Sequence, residues 1–243
     1  NSDCTLTARC TALDPSNAAE LVRQADLVLD CADSFAASYI LSDAAFAQNT
    51  PLISASALGV AGYTGGFCGG APSLRAVFPD LPAPAANCAT AGVMGPVVGI
   101  LGAMQAQMAL SVILGLEPSP LGQMIQLDAQ NFRSTTFRFD AAPEPGTALR
   151  FISPADVAPA DFAVELRGAD EVKSPFAPHA TRLSVAEFKA DRLAPSDNQR
   201  AVLTCRSGLR AWQAARHLQS YWPGEIALIA MGDPEVHQEK DMK

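Results

Sequence analysis

Charge is what this chain has least of, and positive charge is scarcest. Only 17% of its 243 residues are charged, with 17 Lys and Arg against 25 Asp and Glu, a net charge of -8 and a pI near 4.8. That balance argues against a broad phosphate-binding surface and therefore against a nucleic acid partner. A small or acidic substrate would need its own local positive site. Closely spaced cysteines are missing as well. The six stand at positions 4, 10, 31, 68, 88 and 205, with no Cys-x-x-Cys pair and no dense short-range framework. This speaks against a disulfide scaffold or a zinc site and for reduced thiols in a cytoplasmic protein. The chain opens at Asn1 in a polar stretch, without an initiator methionine or a basic-then-apolar signal peptide, and reads as a fragment or a processed chain. No glycine-rich turn leads from an early strand into a helix, because the glycines between 59 and 70 follow a late strand and open no helix.

What the chain has is apolar surface. At 49% apolar, it can bury one large core or two modest ones, and two are expected. The longest uncharged run, AGVMGPVVGILGAMQAQMALSVILGL (91 to 116), is long enough to cross a bilayer. Pro96, five glycines, Gln105, Gln107 and the lack of flanking Lys or Arg weigh against a span. A buried helix of an α/β domain, with Gly99 and Gly102 allowing close backbone approach, explains the same pattern, and hydropathy alone does not separate the two. The segment 97 to 114 is more apolar than one small domain readily hides, so it is expected to lie between its sheet and a second subunit.

Around that run the pattern is strand, helix, strand at 25–30, 31–49 and 51–57, the parallel unit. Glycines and prolines crowd positions 59 to 84, which predicts a long connection that covers a site. One or two strands follow over 122–139, and 140–148 reads as a linker. A second α/β domain begins near Phe151, with strands at 162–167, 201–205 and 225–230, helices at 184–193 and 211–220, and a solvated tail over 233–243.

Within it, AVLTCRSGLRAWQAARHL (201 to 218) places a thiol at the end of an apolar run and the start of a helical one. A loop leaving a strand and entering a helix aims backbone N–H groups at a common centre, and the helix terminus adds partial positive charge. Arg206 and Arg210 would strengthen that field, and Ser207 and Gly208 let the chain curl, so Cys205 is expected to be a thiolate near neutral pH. A buried cysteine filling a strand end is the plain alternative. The Cys205 to Arg210 spacing is one residue shorter than the Cys-x5-Arg of a phosphatase cradle, and the smaller loop suits a sulfane sulfur. Cys-Arg-Ser-Gly-x-Arg after an apolar strand resembles the active-site loop of rhodanese-type sulfurtransferases. The resemblance implies that 151–232 is a rhodanese-like domain with Cys205 as persulfide carrier. The chain departs from that family's pattern at Glu165-Leu166-Arg167, at Pro178-His179-Ala180 and in the absence of the closing Gly-Gly and last helix.

The segments VLDCADSF, PLISASALGVAGYTGGF, RAVFPDLP, NCATAGVMGPVVGILGAMQAQMAL and LGQMIQLDAQNFR resemble, in order over 1–139, the later two thirds of the MoeB/ThiF/HesA adenylyltransferases, relatives of ubiquitin-activating enzymes. This implies a partial Rossmann-like α/β domain, a linker over 140–150, and the small rhodanese-like α/β domain behind it. The activity implied is ATP-dependent adenylation of the C-terminal glycine of a ubiquitin-like sulfur carrier (ThiS/MoaD-like), with sulfur supplied through Cys205, in thiamine or molybdopterin biosynthesis. A cytoplasmic homodimer, fed by a cysteine desulfurase or thiosulfate, goes with that reading.

Asp33 matches the family aspartate that serves Mg-ATP; on the residues alone it could equally cap the helix that follows. Cys88 matches the cysteine that forms a covalent carrier adduct in some members, the alternative being a spectator thiol. Arg75 stands where the family has the arginine of a zinc Cys-x-x-Cys. Ser73 and Ala76 replace its cysteines and no second pair occurs at 140–146, so no structural zinc is expected. The phosphate-binding glycine turn would lie before Asn1, so this chain alone is expected not to adenylate. A dinucleotide-binding oxidoreductase fragment and a non-catalytic carrier-docking module are the competing readings.

Overall fold

Asp14 opens the first helix by a reciprocal cap. Its Oδ1 accepts the Ser16 N–H at 2.8 Å, the Asn17 side chain accepts the Asp14 N–H at 3.1 Å, and Pro15 fills the first helical position, where no donor is needed. The result is α1 (Pro15–Arg23), an amphipathic helix that buries Ala18 and Val22 on one face. The computed structural model describes residues 2–81 and 92–232. Cys88 and the expected tail at 233–243 lie outside the described residues.

The strand, helix, strand unit forms as its pattern predicts. β1 (Val28–Asp30) and β2 (Pro51–Leu58) pair in parallel, with Val28 opposite Leu52 and Asp30 opposite Ser54, and α2 (Phe35–Ala47) joins them. The glycine-rich stretch after β2 is not the expected covering loop. It folds into β3 (Ala61–Cys68), antiparallel to β2, followed by β4 (Gln123–Asp128) and β5 (Arg133–Arg138) in a sheet of order β1-β2-β3-β4-β5. Glycine there answers to close packing. A Cβ on Gly62 would sit 2.4 Å from the Leu101 side chain, and one on Gly66 would sit 2.5 Å from the Pro120 carbonyl.

A short helix, α3 (Leu74–Val77), follows β3, and α4 (Gly95–Ile113) lies across β2 and β3. Val97, Leu101, Gln105, Met108 and Ala109 of α4 are buried, while Val98, Ile100, Leu110 and Ile113 remain exposed. The expected buried helix is thus buried on one face only, although by length and composition it is apolar enough to cross a membrane. Gly99 and Gly102 do not mediate close approach, since a Cβ on either would meet nothing within 4 Å.

The second sheet is wholly parallel, in the order β6-β10-β9-β7-β8. Its strands are β6 (Arg150–Phe151), β7 (Phe162–Glu165), β8 (Thr181–Arg182), β9 (Ala201–Cys205) and β10 (Ile226–Ala230). Central β9 is buried along its whole length, as a parallel strand covered on both faces must be. Ser184 and Glu187 cap α5 (Val185–Asp191) reciprocally, and α6 (Leu209–Gln219) packs on β9 and β10. The two sheets do not keep separate cores, contrary to expectation. One buried cluster runs from Tyr39, Leu52 and Phe67 to Phe151, Trp212 and Leu218. The cause is α2, which is apolar nearly all round: it faces the first sheet on one side and presents Tyr39 to Trp212 on the other, ring centroids 5.3 Å apart.

Candidate functional site

Outside the carboxyl ends of β1 and β2, where open α/β sheets bind ligands, lies a cavity of about 570 Å³. The turn that forms its edge is held from beneath. The buried Asp30 carboxylate accepts the Ala32 N–H at 3.1 Å and the Ser54 hydroxyl at 2.8 Å. Gln105, buried inside the apolar α4, donates its amide to the Asp30 carbonyl at 2.8 Å and the Ile53 carbonyl at 2.9 Å. Its Oε1 accepts from the Cys31 thiol at 3.4 Å. One helix thereby ties the end of β1 to β2 with no buried polar group of this cluster left unpaired.

Asp33 follows directly, exposed on the cavity wall and without a protein partner among the described residues. It does not cap α2, whose N-cap is Ser34. Tyr39, Tyr63, Phe78 and Asp80 complete much of the lining. Burial pushes the Tyr63 hydroxyl up to about 12 against the opposing hydrogen bond with Ser54, and burial likewise raises Tyr39 against the nearby Arg75 charge. Among the described residues, no lysine or arginine lines the cavity. That lining holds none of the positive groups a triphosphate needs; Asp33 and Asp80 supply its carboxylates, and most of the remaining wall is apolar.

Arg75 is structural. Its guanidinium pairs with Asp43 at 2.6 and 2.9 Å and lies 4.6 Å over the Tyr39 ring. Ser73, where the resemblance would place a zinc-binding cysteine, donates its hydroxyl to Glu144 at 2.6 Å, tying the start of α3 to the segment after β5.

The thiol occupies the other part of the site. Cys205 ends β9, and the chain turns through Gly208, at φ +83°, into α6. Its Sγ accepts the Ala211 N–H at 3.4 Å, and the N–H groups of Gly208 and Arg210 also converge on it. This is the expected strand-loop-helix cradle, but the expected thiolate is corrected. Cys205 is fully buried, and that burial pushes the thiol up, outweighing the lowering by the backbone N–H groups and by Arg210. Arg210 is also less available than its spacing implies. Its guanidinium grips Glu171 with two bonds of 2.6 Å and donates to the Leu166 carbonyl at 2.9 Å. That contact holds the Glu171 carboxyl down at about 2. Arg206 is exposed.

The departure at Glu165-Leu166-Arg167 has a purpose in packing. The fully buried Glu165 carboxylate accepts two bonds from the Arg167 guanidinium, at 2.8 and 2.7 Å, and the Phe176 N–H at 3.2 Å. Glu171, Gln105 and Asp80 were not expected at the site. Gln105, one of two glutamines inside an apolar helix, was the one readable signal among them.

The two parts touch through α2. A Cβ on Gly208 would lie 2.8 Å from the Phe151 ring and 3.2 Å from the Ala36 Cβ, so the thiol loop rests on the helix whose first residues line the cavity. The structure thus brings Cys205 and Arg210 to one strand-to-helix turn and sets Asp33 just before the first turn of the helix on which that turn packs.

An α/β protein with a ligand cavity at its strand ends and a cradled thiol packed beside it is what this geometry defines. Residues 1–148 match the ThiF family, and the chain belongs to that family. Among curated relatives, "Adenylyltransferase and sulfurtransferase MOCS3" of Sus scrofa is 44% identical over 122 residues, covering 49% of this chain and 27% of that protein. The protein of the same name from Drosophila persimilis is 38% identical over 141 residues (57% and 31%), and that from Caenorhabditis briggsae is 34% identical over 166 residues (67% and 41%). The chain spans about a third of the length of the curated relatives it matches. Similar solved structures include a crystal structure of selenomethionine PaaA (TM-score 0.39, 19% identity, 52% of this chain and 39% of that one) and E. coli MccB with ATP (TM-score 0.44, 14% identity, 57% and 43%).

Proposed function

We propose that the chain is part of an enzyme that adenylates the C-terminal glycine of a ubiquitin-like sulfur-carrier protein and passes sulfur to it through a Cys205 persulfide. The packing of Gly208 on Ala36 carries this reading, because it sets a cradled thiol on the helix that borders the cavity. Family membership and the names of the relatives support the adenylyl half, and the Cys205 loop supports the sulfur half. The units proposed are residues 1–139 and 151–232, joined by 140–150.

In this reading the carrier's tail lies in the cavity and Asp33 holds the Mg ion that accompanies ATP. The positive groups for the triphosphate come from outside the described lining. ATP, when bound, supplies the adenylyl group that makes the carrier's carboxylate a good electrophile. On this chain, Cys205 gives up its proton to water and its sulfur then attacks the outer sulfur of a donor such as thiosulfate; the donor's S–S bond breaks and sulfite leaves. The N–H groups of Gly208, Arg210 and Ala211 hold the new persulfide anion in place. Its terminal sulfur attacks the activated carbonyl and AMP leaves, and Cys88 is proposed as the residue that forms a covalent adduct with the carrier. A homodimer covering the exposed face of α4, and a place in molybdopterin or thiamine biosynthesis, belong to the same proposal.

Incubation with thiosulfate tests the reading directly. Intact-protein mass spectrometry should show one added sulfur atom on the wild type and none on Cys205→Ser. Equal loading of both would refute it and leave the second unit as a docking module.

A further inference from the structure

Positions 208, 212 and 216 are spaced four apart along one face of α6, and each is tied to the first unit. Gly208 packs against Ala36. The Trp212 indole, 3% exposed, stacks on Tyr39 at 5.3 Å and an interplanar angle of 12°, and donates its Nε1–H to Asp80 Oδ1 at 2.5 Å. Arg216 pairs with Asp80 Oδ2 at 2.8 Å. Tyr39 in turn donates its hydroxyl to the Phe78 carbonyl at 2.8 Å, two residues before Asp80. Asp80 therefore closes a clasp around α6, and the same residue lines the cavity. The Arg216 pair is half-exposed and weak by itself; the indole-to-carboxylate bond reaches a buried ring and is the stronger element.

We propose that Asp80 is a positioning residue that couples the cavity to the thiol: its carboxylate, part of the cavity wall, keeps α6 docked on α2 and the Cys205 loop covered, and releasing it exposes Cys205. The coupling rests on the reading of Cys205 as the sulfur carrier, yet its physical content is the accessibility of one thiol. Whatever in the cavity competes for the Asp80 carboxylate biases the loop toward the open form, because the open form alone leaves that carboxylate free. By reciprocity, an open loop favours such an occupant.

Alkylation by iodoacetamide, followed cysteine by cysteine with peptide mass spectrometry, tests this on the chain as it stands. Cys68, fully buried at the end of β3, is the internal reference. In Asp80→Ala, which removes the acceptor for both Trp212 and Arg216, Cys205 labelling should rise about tenfold while Cys68 labelling stays at its wild-type rate. Asp80→Asn keeps an oxygen for the indole and should give a smaller rise. Trp212→Phe keeps a ring on Tyr39 but loses the donor, and should raise labelling like Asp80→Ala. Tryptophan emission should shift to the red in Asp80→Ala as the indole meets water. An unchanged Cys205 rate in Asp80→Ala, or an equal rise at Cys68, would overturn the proposal. Labelling needs no sulfur chemistry, so a clasp-dependent rate together with failure to load from thiosulfate would refute the function and leave the coupling standing.

Discussion

Replacing Gly208 by alanine isolates what holds the thiol loop against the rest of the protein. Two costs add. The backbone at Gly208 has φ +83°, a left-handed conformation that costs an L residue roughly 1–2 kcal/mol. The new Cβ would stand 2.8 and 2.9 Å from Cε1 and Cζ of Phe151 and 3.2 Å from the Ala36 Cβ. Phe151 has little room to retreat, since its ring is buried with the Trp212 ring 6.4 Å away, so overpacking adds about 1–3 kcal/mol. Alanine restricts the unfolded chain more than glycine does and returns roughly 0.5–1 kcal/mol. The net expectation is a loss of about 2–4 kcal/mol, read from urea midpoints at unchanged m. Gly59 supplies the control, because it too is left-handed, at φ +60°, but a Cβ there would meet nothing within 4 Å. Gly59→Ala should therefore lose only about 1 kcal/mol. Equal losses at the two positions would show that no tight contact exists between the loop, Phe151 and α2, and the proximity of thiol and cavity would fall with it.

The Cys205 alkylation rate should rise with pH along a curve displaced above that of an ordinary thiol, and Arg210→Gln should displace it further, since the guanidinium lowers the thiol from its burial-raised value. Glu171, held at about 2 in the folded protein against 4.5 normally, stabilises the fold fully above about pH 4.5 and loses that contribution as pH falls toward 2. Thermal melts across that window should show a shallower decline for Arg210→Gln than for wild type. Glu165→Ala should cost about 3–5 kcal/mol in urea unfolding by stranding the largely buried Arg167 guanidinium, and Glu165→Leu combined with Arg167→Met should recover much of it. Gln105→Leu should cost about 1–3 kcal/mol because the Asp30 and Ile53 carbonyls lose their donor, whereas Gln107→Leu, on the exposed face of the same helix, should change stability by less than about 0.5 kcal/mol.

The apolar pattern sufficed for β1, α2, β2, α4, β9 and α6, because periodicity and length separate such elements from their surroundings. It failed for β3, whose glycines look like loop residues until Leu101 and Pro120 are seen pressing on them. Propensity describes a residue's own backbone and says nothing of what approaches it from elsewhere in the chain. The helix α1 was also missed, although the cap at Asp14 and the four-residue spacing of buried Ala18 and Val22 both mark it.

By itself, the sequence determined which residues have the chemistry: a thiol between an apolar strand and a helix at Cys205, a carboxylate just past a strand at Asp33, and a guanidinium five residues from the thiol at Arg210. Tertiary structure alone decided their state. Cys205 is a raised thiol because burial removes the water that would stabilise its anion, and Arg210 is bound to Glu171, 39 residues away in the chain. The clasp of Asp80 on Trp212 spans 132 residues, a separation at which no local pattern carries information, since only packing determines which faces of α2 and α6 meet.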